Sequence, residues 1–209
     1  DEINRAPAKT QSALFEIMEE RQATVDGRTY PMAAPFMVLA TQNPIEQEGT
    51  YRLPEAQLDR FIFKILVPYP TEAEEATILM QFHNMGNANV QDLVKPVLKA
   101  EQIIQLRQQI KTLVIEEKLL HFIARLVHQT RNHKSIYLGG SPRASLAIMN
   151  GSKALAAING RDFVTPEDIL DVVNPVLRHR IILSPDKEME GITADDVIRQ
   201  IIQSMDIPR

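Results

Sequence analysis

Apolar positions divide the chain into a strand-and-helix first part and an all-helical second part. Residues 36–41 and 61–67 form apolar runs of strand length, and only Lys64 interrupts the second. Fully apolar strands are typical of a parallel sheet that is covered on both faces. Beyond about residue 96, apolar residues recur at helical spacing and no strand-like run is convincing. The pattern predicts an α/β segment with a parallel sheet, followed by a small helical bundle.

Local signals mark where the predicted elements begin and end. Pro7 suits the first turn of a helix, and Thr71 with Glu74 forms a capping box. Asp26-Gly27 is a strong two-residue turn signal between two short strands. The predicted helices cover residues 7–20, 55–59, 71–84, 100–114, 119–127, 142–158, 166–177 and a last stretch from 193, and the predicted hairpin covers 21–34.

The stretch from Gly86 to Pro96 is the best candidate for a linker, because it joins the two kinds of pattern and contains glycine, asparagine and proline. We therefore predict two domains, residues 1–85 and residues 86–209.

Composition narrows the class of protein. Of 209 residues, 44% are hydrophobic and 24% charged, which is ordinary for a globular protein and argues against global disorder. A net charge of -4 gives no reason to expect nucleic-acid binding, which usually needs a basic face. The absence of cysteine excludes disulfides and fits a cytoplasmic protein. No apolar run approaches the roughly 18 residues of a membrane span.

Polar residues at predicted strand ends suggest a ligand site. Asp1 and Glu2 are adjacent acids that suit the end of one strand, and Asn43 follows the apolar run 36–41. In parallel sheets, ligands bind beyond the carboxyl ends of the strands. An acid pair, a strand-end amide and isolated arginines are the groups needed to handle a magnesium–nucleoside triphosphate.

An ordered set of short blocks resembles MoxR-type AAA+ ATPases. The blocks are Asp1-Glu2-Ile3-Asn4-Arg5-Ala6-Pro7 through Met18-Glu19-Glu20, Ala40-Thr41-Gln42-Asn43-Pro44, Leu53-Pro54-Glu55-Ala56-Gln57-Leu58-Asp59-Arg60-Phe61, Gly140-Ser141-Pro142-Arg143-Ala144 and Val176-Leu177-Arg178-His179-Arg180. Each is short, but together they follow the family's order over nearly the whole chain. The resemblance implies a partial AAA+ P-loop-type parallel sheet segment followed by an all-α helical lid domain.

The resemblance implies roles for three residues near the acid pair. Asp1 matches the Walker B position that binds Mg²⁺ through water, and Glu2 matches the residue that activates the attacking water. Asn43 matches sensor 1. From the residues alone, an exposed terminus is the simpler interpretation of the acids, and Asn43 could be a turn residue before proline.

The same resemblance assigns two arginines. Arg60 matches the arginine finger that enters the neighbouring subunit's nucleotide, with Arg52 as an alternative in the same loop. A salt bridge from Arg60 to Asp59 or Glu55 is the simpler possibility. Arg143 matches sensor 2, which would contact the β- or γ-phosphate when the lid closes.

The resemblance also implies ATP and Mg²⁺ as cofactors and a homo-oligomeric ring, expected to be a hexamer. It further implies chaperone-like remodelling or maturation of a client protein that the sequence does not name. The 209 residues contain no G-x-x-x-x-G-K-[ST] phosphate loop. We therefore expect these 209 residues alone to be inactive and to be the downstream part of a longer protein. The family's sheet order would place the strand before that loop between the apolar runs 36–41 and 61–67, which would otherwise lack a proper neighbour.

Other hypotheses remain open at this point. The helical bundle could be a non-enzymatic interaction or adaptor module, or the chain could be a chelatase-like AAA+ subunit. The five histidines show no H-E-x-x-H spacing, so a zinc site is disfavoured. Arg178-His179-Arg180 reads as a basic tip of the lid, either a subunit contact or a solvated helix end.

Overall fold

The first part of the chain is built on one helix and one hairpin. A computed structural model of the chain describes residues 1–43, 51, 53–86, 91 and 94–208. A 3-10 turn, Ile3–Arg5, leads into α1, Ala8–Glu20, and the antiparallel strands β1, Gln22–Val25, and β2, Arg28–Pro31, follow. Helix and hairpin agree with the sequence prediction.

The hairpin turn has the backbone that its sequence requires. Asp26 and Gly27 both have positive φ, 49° and 74°. Two-residue turns with positive φ at both positions match the twist of paired strands, and Asp-Gly favours them.

The two apolar runs have no strand partner among the described residues, which agrees with the expectation that they lack a proper neighbour without the strand before the phosphate loop. Within the described residues, neither 36–41 nor 61–67 pairs with another strand, and the sheets are β1–β2 and a second two-stranded ribbon in the later part of the chain. Leu39 is 82% exposed and Val67 is 88% exposed. A strand needs a neighbour to satisfy its backbone groups. These runs have the apolar sequence of buried strands, but among the described residues they do not form the inter-strand hydrogen bonds of a sheet.

Two further helices complete the first part. They are α2, Glu55–Leu58, and α3, Glu72–Met85. Thr71 and Glu74 form the predicted capping box at the start of α3. A small hydrophobic cluster of Ile3, Phe15 and Leu53 holds α1 against the turn and the α2 region.

The predicted linker lies partly outside the described residues, because 87–90 and 92–93 belong to the undescribed positions. The domain boundary after residue 85 therefore stays a prediction.

The second part is a helical bundle with its own core. Its helices are α4, Ala100–Thr112; α5, Glu117–Asn132; α6, Pro142–Ile158; α7, Pro166–Leu177; α8, Pro185–Met189; and α9, Ala194–Gln203. The core is apolar and draws on α5, α6, α7 and α9, with Phe122, Leu126, Ile148, Val173 and Val176 fully buried.

A small antiparallel ribbon has no counterpart among the elements predicted from the sequence. Strand β3, Ile136–Leu138, pairs with β4, Ile182–Leu183. These strands are too short to produce an alternating pattern, and α8 is also too short to show helical periodicity. Among the described residues, no helix is long and apolar enough to cross a membrane.

Candidate functional site

The first residues lie against Thr41, at the end of the apolar run 36–41. The backbone N–H of Ile3 donates to the Thr41 carbonyl oxygen at 3.0 Å, and that of Glu2 donates to Thr41 Oγ1 at 2.8 Å. The Thr41 hydroxyl in turn donates to Asp1 Oδ1. One threonine therefore fixes both acidic residues relative to the strand-length run.

Asn43 lies beside the second acid. Its Nδ2 donates to Glu2 Oε1 at 3.3 Å, while Asn4 Nδ2 donates to the Asn43 carbonyl oxygen at 3.2 Å. The other Glu2 oxygen, Oε2, pairs with Arg5 Nε at 2.8 Å. We call Asp1, Glu2, Thr41 and Asn43 the acidic group.

The backbone of Glu2 is strained. Its φ of 46° and ψ of 53° place it in the left-handed region, which costs a residue with a Cβ roughly 1–2 kcal/mol. Such strain persists where the surrounding contacts fix the conformation, and it concentrates at functional sites. The contacts with Thr41 and Asn43 are the ones that hold Glu2 here.

The donor set of the acidic group fits a magnesium ion with its water shell. Carboxylate, hydroxyl and amide oxygens are hard ligands of the kind that Mg²⁺ takes, and it usually keeps several waters beside one or two carboxylates. Asp1 is exposed and Glu2 is partly exposed, so both can reach a ligand from solvent.

Arg60 is paired, but not as the simpler sequence hypothesis proposed. Its Nη1 forms a salt bridge with Glu19 Oε1, near the end of α1, rather than with Asp59 or Glu55. Its side chain is 21% exposed, and its buried Nε has no hydrogen-bond partner among the described residues. The alternative, Arg52, lies outside the described residues.

Arg143 approaches the same place from the lid. It lies in the first turn of α6, with Nη2 3.9 Å from Glu19 Oε1 and Nη1 3.8 Å from Asp59 Oδ2. Its side chain is 53% exposed. Arg60 and Arg143 therefore form an arginine pair around one glutamate, half open to solvent.

The acidic group and the arginine pair lie near opposite ends of α1. The acidic residues directly precede the helix, and Gln11 in its first turns donates to the Ile3 carbonyl oxygen. Glu19 is the penultimate residue of the helix. At ~1.5 Å per residue, Ala8 and Glu19 are separated by about 16 Å along the axis. The two groups therefore do not meet within one protomer, and the expectation that the five residues converge on a triphosphate shared between protomers stays a prediction.

The segment after Arg60 is held by the end of α7, which corrects the interpretation of Arg178-His179-Arg180 as an exposed basic tip. The Arg180 side chain is only 2% exposed and pairs with Asp59 Oδ1 at 3.0 Å. Burial lowers the pKa of its guanidinium, while the hydrogen bond to Asp59 opposes that shift. Neither a solvated helix end nor a free subunit contact fits a residue so buried.

His179 is a neutral part of the same junction. Its Nε2 lies 2.9 Å from the Phe61 carbonyl oxygen, and its buried Nδ1 has no partner among the described residues. Since a carbonyl only accepts, Nε2 carries the proton. Burial lowers the pKa of His179 to about 4.

The observed roles of three residues at these positions were not anticipated from the sequence. Thr41 and Asp59 stand inside the blocks that carry the resemblance, so their position beside Asn43 and Arg60 was the only available signal. Glu19 was one of several acids on α1, and nothing in its spacing distinguishes it from Glu16 or Glu20.

Comparison with known proteins identifies the two parts of the fold. Residues 1–63 match the family model described as an ATPase family associated with various cellular activities (AAA), and residues 128–201 match the model of an AAA lid domain. The order of the two matches agrees with the order of the two parts described above.

Individual relatives match the whole chain. It is 43% identical to the protein YeaC of Bacillus subtilis and 42% identical to Chaperone MoxR1 of Mycobacterium tuberculosis, each over 100% of this chain. The chain spans 64% of the first relative and 56% of the second. A crystal structure of a candidate ATPase from Cytophaga hutchinsonii superposes with a TM-score of 0.92 at 42% identity, over 100% of this chain and 65% of that one. The chain therefore belongs to the MoxR-type AAA+ ATPases, with an AAA+ segment followed by a helical lid.

Proposed function

We propose that the full-length protein is a ring ATPase that hydrolyses Mg-ATP at sites shared between neighbouring protomers. Each site would take the acidic group from one protomer and the arginine pair from the next. Family membership supports ATPase activity in general. The position of the two groups near opposite ends of α1 supports their assignment to different protomers.

The separation of the two groups is the observation that carries this proposal. Glu2 and Arg60 cannot act on one phosphate within a protomer while about 16 Å of helix lies between their surroundings. In a ring of identical subunits with head-to-tail interfaces, one end of α1 can face the opposite end in the next subunit. A shared site is therefore the arrangement in which both groups reach the same triphosphate.

On the acidic side, Glu2 is the residue that can take the proton of an attacking water. Its Oε1 lies within hydrogen-bond distance of the Asn43 amide, so a water bound beside both groups would be oriented by both. Asp1, positioned by the Thr41 hydroxyl, would hold the metal ion, whose role is to neutralise charge on the phosphate oxygens.

On the other side, two guanidinium groups converge on one carboxylate. An arginine contributed from a neighbouring subunit stabilises the charge that develops on the transferring phosphoryl group, and such residues are worth ~10³–10⁵ in rate. Since Arg143 lies beside Arg60 on Glu19, we propose that both serve the neighbour's nucleotide.

The phosphate loop must come from sequence that these 209 residues do not contain, so hydrolysis is proposed for the full-length protein and not for this chain alone. A chaperone-like role in remodelling or maturing a client is likewise proposed, because one relative is named Chaperone MoxR1. A hexameric ring and a cytoplasmic location stay predictions.

Mixing two inactive variants in the full-length protein tests the shared site. We expect Glu2→Gln and Arg60→Ala each to abolish most ATP turnover alone. In rings that contain the two variants in equal amounts, some interfaces combine Glu2 of an Arg60→Ala subunit with Arg60 of a Glu2→Gln subunit. About a quarter of the interfaces have this combination and should regain activity. Glu20→Gln, an exposed acid on α1, is the control.

Two results would count against the proposal. Recovery no greater than the sum of the separate rates would show that the site is not shared. Turnover unchanged by Glu2→Gln would remove the acid from the mechanism and favour a non-enzymatic module.

A further inference from the structure

Arg180 uses its whole guanidinium group to hold the segment around Arg60. Its Nε bonds Asp59 Oδ1 at 3.0 Å. Its Nη1 donates to the carbonyl oxygens of Ile62, at 3.0 Å, and Val176, at 2.5 Å. Its Nη2 donates to those of Asp59, at 3.0 Å, and Phe61, at 2.5 Å. An arginine has five N–H donors, and all of them are used.

Asp59 connects the same segment to the start of the lid helix α6. While one of its carboxylate oxygens accepts from Arg180, the other accepts from Ser141 Oγ at 2.8 Å. Ser141 is the N-cap of α6, and its Oγ also accepts from the backbone N–H of Arg143 at 3.1 Å. A continuous path of hydrogen bonds therefore runs from Arg180 through Asp59 to the residue that begins the helix of Arg143.

Other contacts brace the junction. The Lys64 N–H donates to the Pro175 carbonyl oxygen at 2.8 Å, and the Phe63 ring lies so close to Gly151 of α6 that an added Cβ would be 3.2 Å from it. Residues on both sides of Arg60 are therefore seated on the lid, while the side chain of Arg60 reaches out to Glu19.

We propose that Arg180 and Asp59 are positioning residues that fix Arg60 and Arg143 as one rigid pair, so that movement of the lid in one protomer displaces the arginines acting on the neighbour's nucleotide. This inference rests on the proposed function, since it gives the arginine pair its task. Neither Arg180 nor Asp59 touches the nucleotide: both act through Arg60 and Arg143.

The choice of arginine follows from the geometry. A lysine at position 180 keeps the charge but offers three donors on one nitrogen, so it cannot satisfy the four carbonyl oxygens and the carboxylate together. A small displacement of a catalytic group costs about 100-fold in rate for about 1 Å. A mispositioned Arg60 should therefore lower kcat, because its interaction with the phosphoryl group is made in the transition state.

The test compares two Arg→Lys changes in the full-length ATPase. Arg180→Lys disturbs the junction, whereas Arg161→Lys disturbs a matched pair inside the lid, where Arg161 bonds both oxygens of the buried Asp168. We expect both changes to lower thermal stability. Measured well below the unfolding temperature, Arg180→Lys should lower kcat about 10-fold or more with little change in KM, and Arg161→Lys should leave kcat near wild type.

Ser141→Gly provides a milder version of the same test. Glycine is nearly as good an N-cap as serine, so this change removes the hydroxyl link to Asp59 while α6 still begins normally. Thr193→Gly is the matched control, because Thr193 also caps a lid helix through its side chain, whose Oγ1 accepts from the Asp196 N–H at 3.2 Å. We expect kcat to fall only in Ser141→Gly.

A double-mutant cycle with Arg60→Ala decides whether Arg180 acts through Arg60. If it does, Arg180→Lys causes little further loss of kcat in the Arg60→Ala background. Additive losses, or equal losses in Arg161→Lys and Arg180→Lys, overturn the positioning role while leaving the ATPase proposal intact. Turnover unchanged by Arg60→Ala itself overturns the finger assignment and this inference together.

Discussion

Arg60 and Arg143 approach the same carboxylate oxygen, Oε1 of Glu19, although one follows α2 and the other begins α6. The two guanidinium groups repel each other, and the negative charge of the Glu19 carboxylate offsets that repulsion. This relationship joins the first part of the chain to the lid at the point where both parts contribute to the proposed site.

Replacing Glu19 by glutamine should weaken this junction only modestly. Its side chain is 45% exposed, and exposed ion pairs are worth roughly 0–1 kcal/mol. We expect the free energy of unfolding to fall by about 1 kcal/mol or less, and the difference from wild type to shrink at high salt, as measured by urea denaturation. Glu20→Gln, next along α1, is the control, and an equal effect of that change would contradict the assignment.

Thr41 should tune the metal requirement of the full-length protein. Thr41→Val keeps the shape of the side chain but removes the hydroxyl that bonds Asp1 and the Glu2 backbone. Partners that orient a metal ligand are typically worth about 10–100-fold in metal affinity. A Mg²⁺ titration of ATP turnover should show a rise of that size in the half-saturating concentration. Thr29→Val on the exposed hairpin should leave it unchanged; an unshifted titration in Thr41→Val would refute the role.

His179 should make stability depend on pH in mildly acidic solution. Because burial lowers its pKa to about 4 from an ordinary 6.5, the unfolded chain binds a proton in this range before the folded chain does. Stability is therefore fully present above about pH 6.5 and falls as the pH drops towards 4, by up to about 3 kcal/mol.

His179→Gln keeps an N–H donor for the Phe61 carbonyl oxygen and should flatten this dependence in chemical denaturation series. His121→Gln replaces a histidine whose side chain is 72% exposed, and it should leave the slope as in wild type. A slope that survives His179→Gln would assign the pH dependence to other groups.

Gly139 should not tolerate a side chain. A Cβ there would lie 2.7 Å from backbone atoms of Thr130 and Arg131 in α5. Overpacking against backbone costs about 1–3 kcal/mol, so Gly139→Ala should lower the unfolding temperature by several degrees. Tyr137→Ala, two residues earlier and 80% exposed in wild type, should change it little; similar shifts for both variants would argue against the close approach.

The helices were predictable because their signals are local. The Ser141-Pro142 start and the alanine-rich sequence after it predicted α6 at residues 142–158, which are its observed bounds. The strands were not predictable in the same way, since the apolar runs 36–41 and 61–67 depend on a neighbour that sequence pattern does not supply.

The side-chain partners of the arginines could not be predicted from the sequence for a similar reason. Arg180 meets Asp59 across 121 positions of sequence, and the pairing depends on how α7 packs against the end of α2. Local spacing suggested Asp59 or Glu55 for Arg60, but the side chain instead crosses to α1. The grouping of Asp1, Glu2 and Asn43 followed from a rule about strand ends, so that part of the site could be anticipated.

Arg180 donates to main-chain carbonyl oxygens at Phe61 and Ile62, and it bonds a side chain only at Asp59. Random mutagenesis followed by selection for turnover should therefore accept many different amino acids at 61 and 62, provided that the apolar contacts are kept. The same selection should accept almost nothing but aspartate at 59. Because the junction is bonded mainly through main-chain carbonyl groups, its side chains can change during evolution while its backbone geometry is kept.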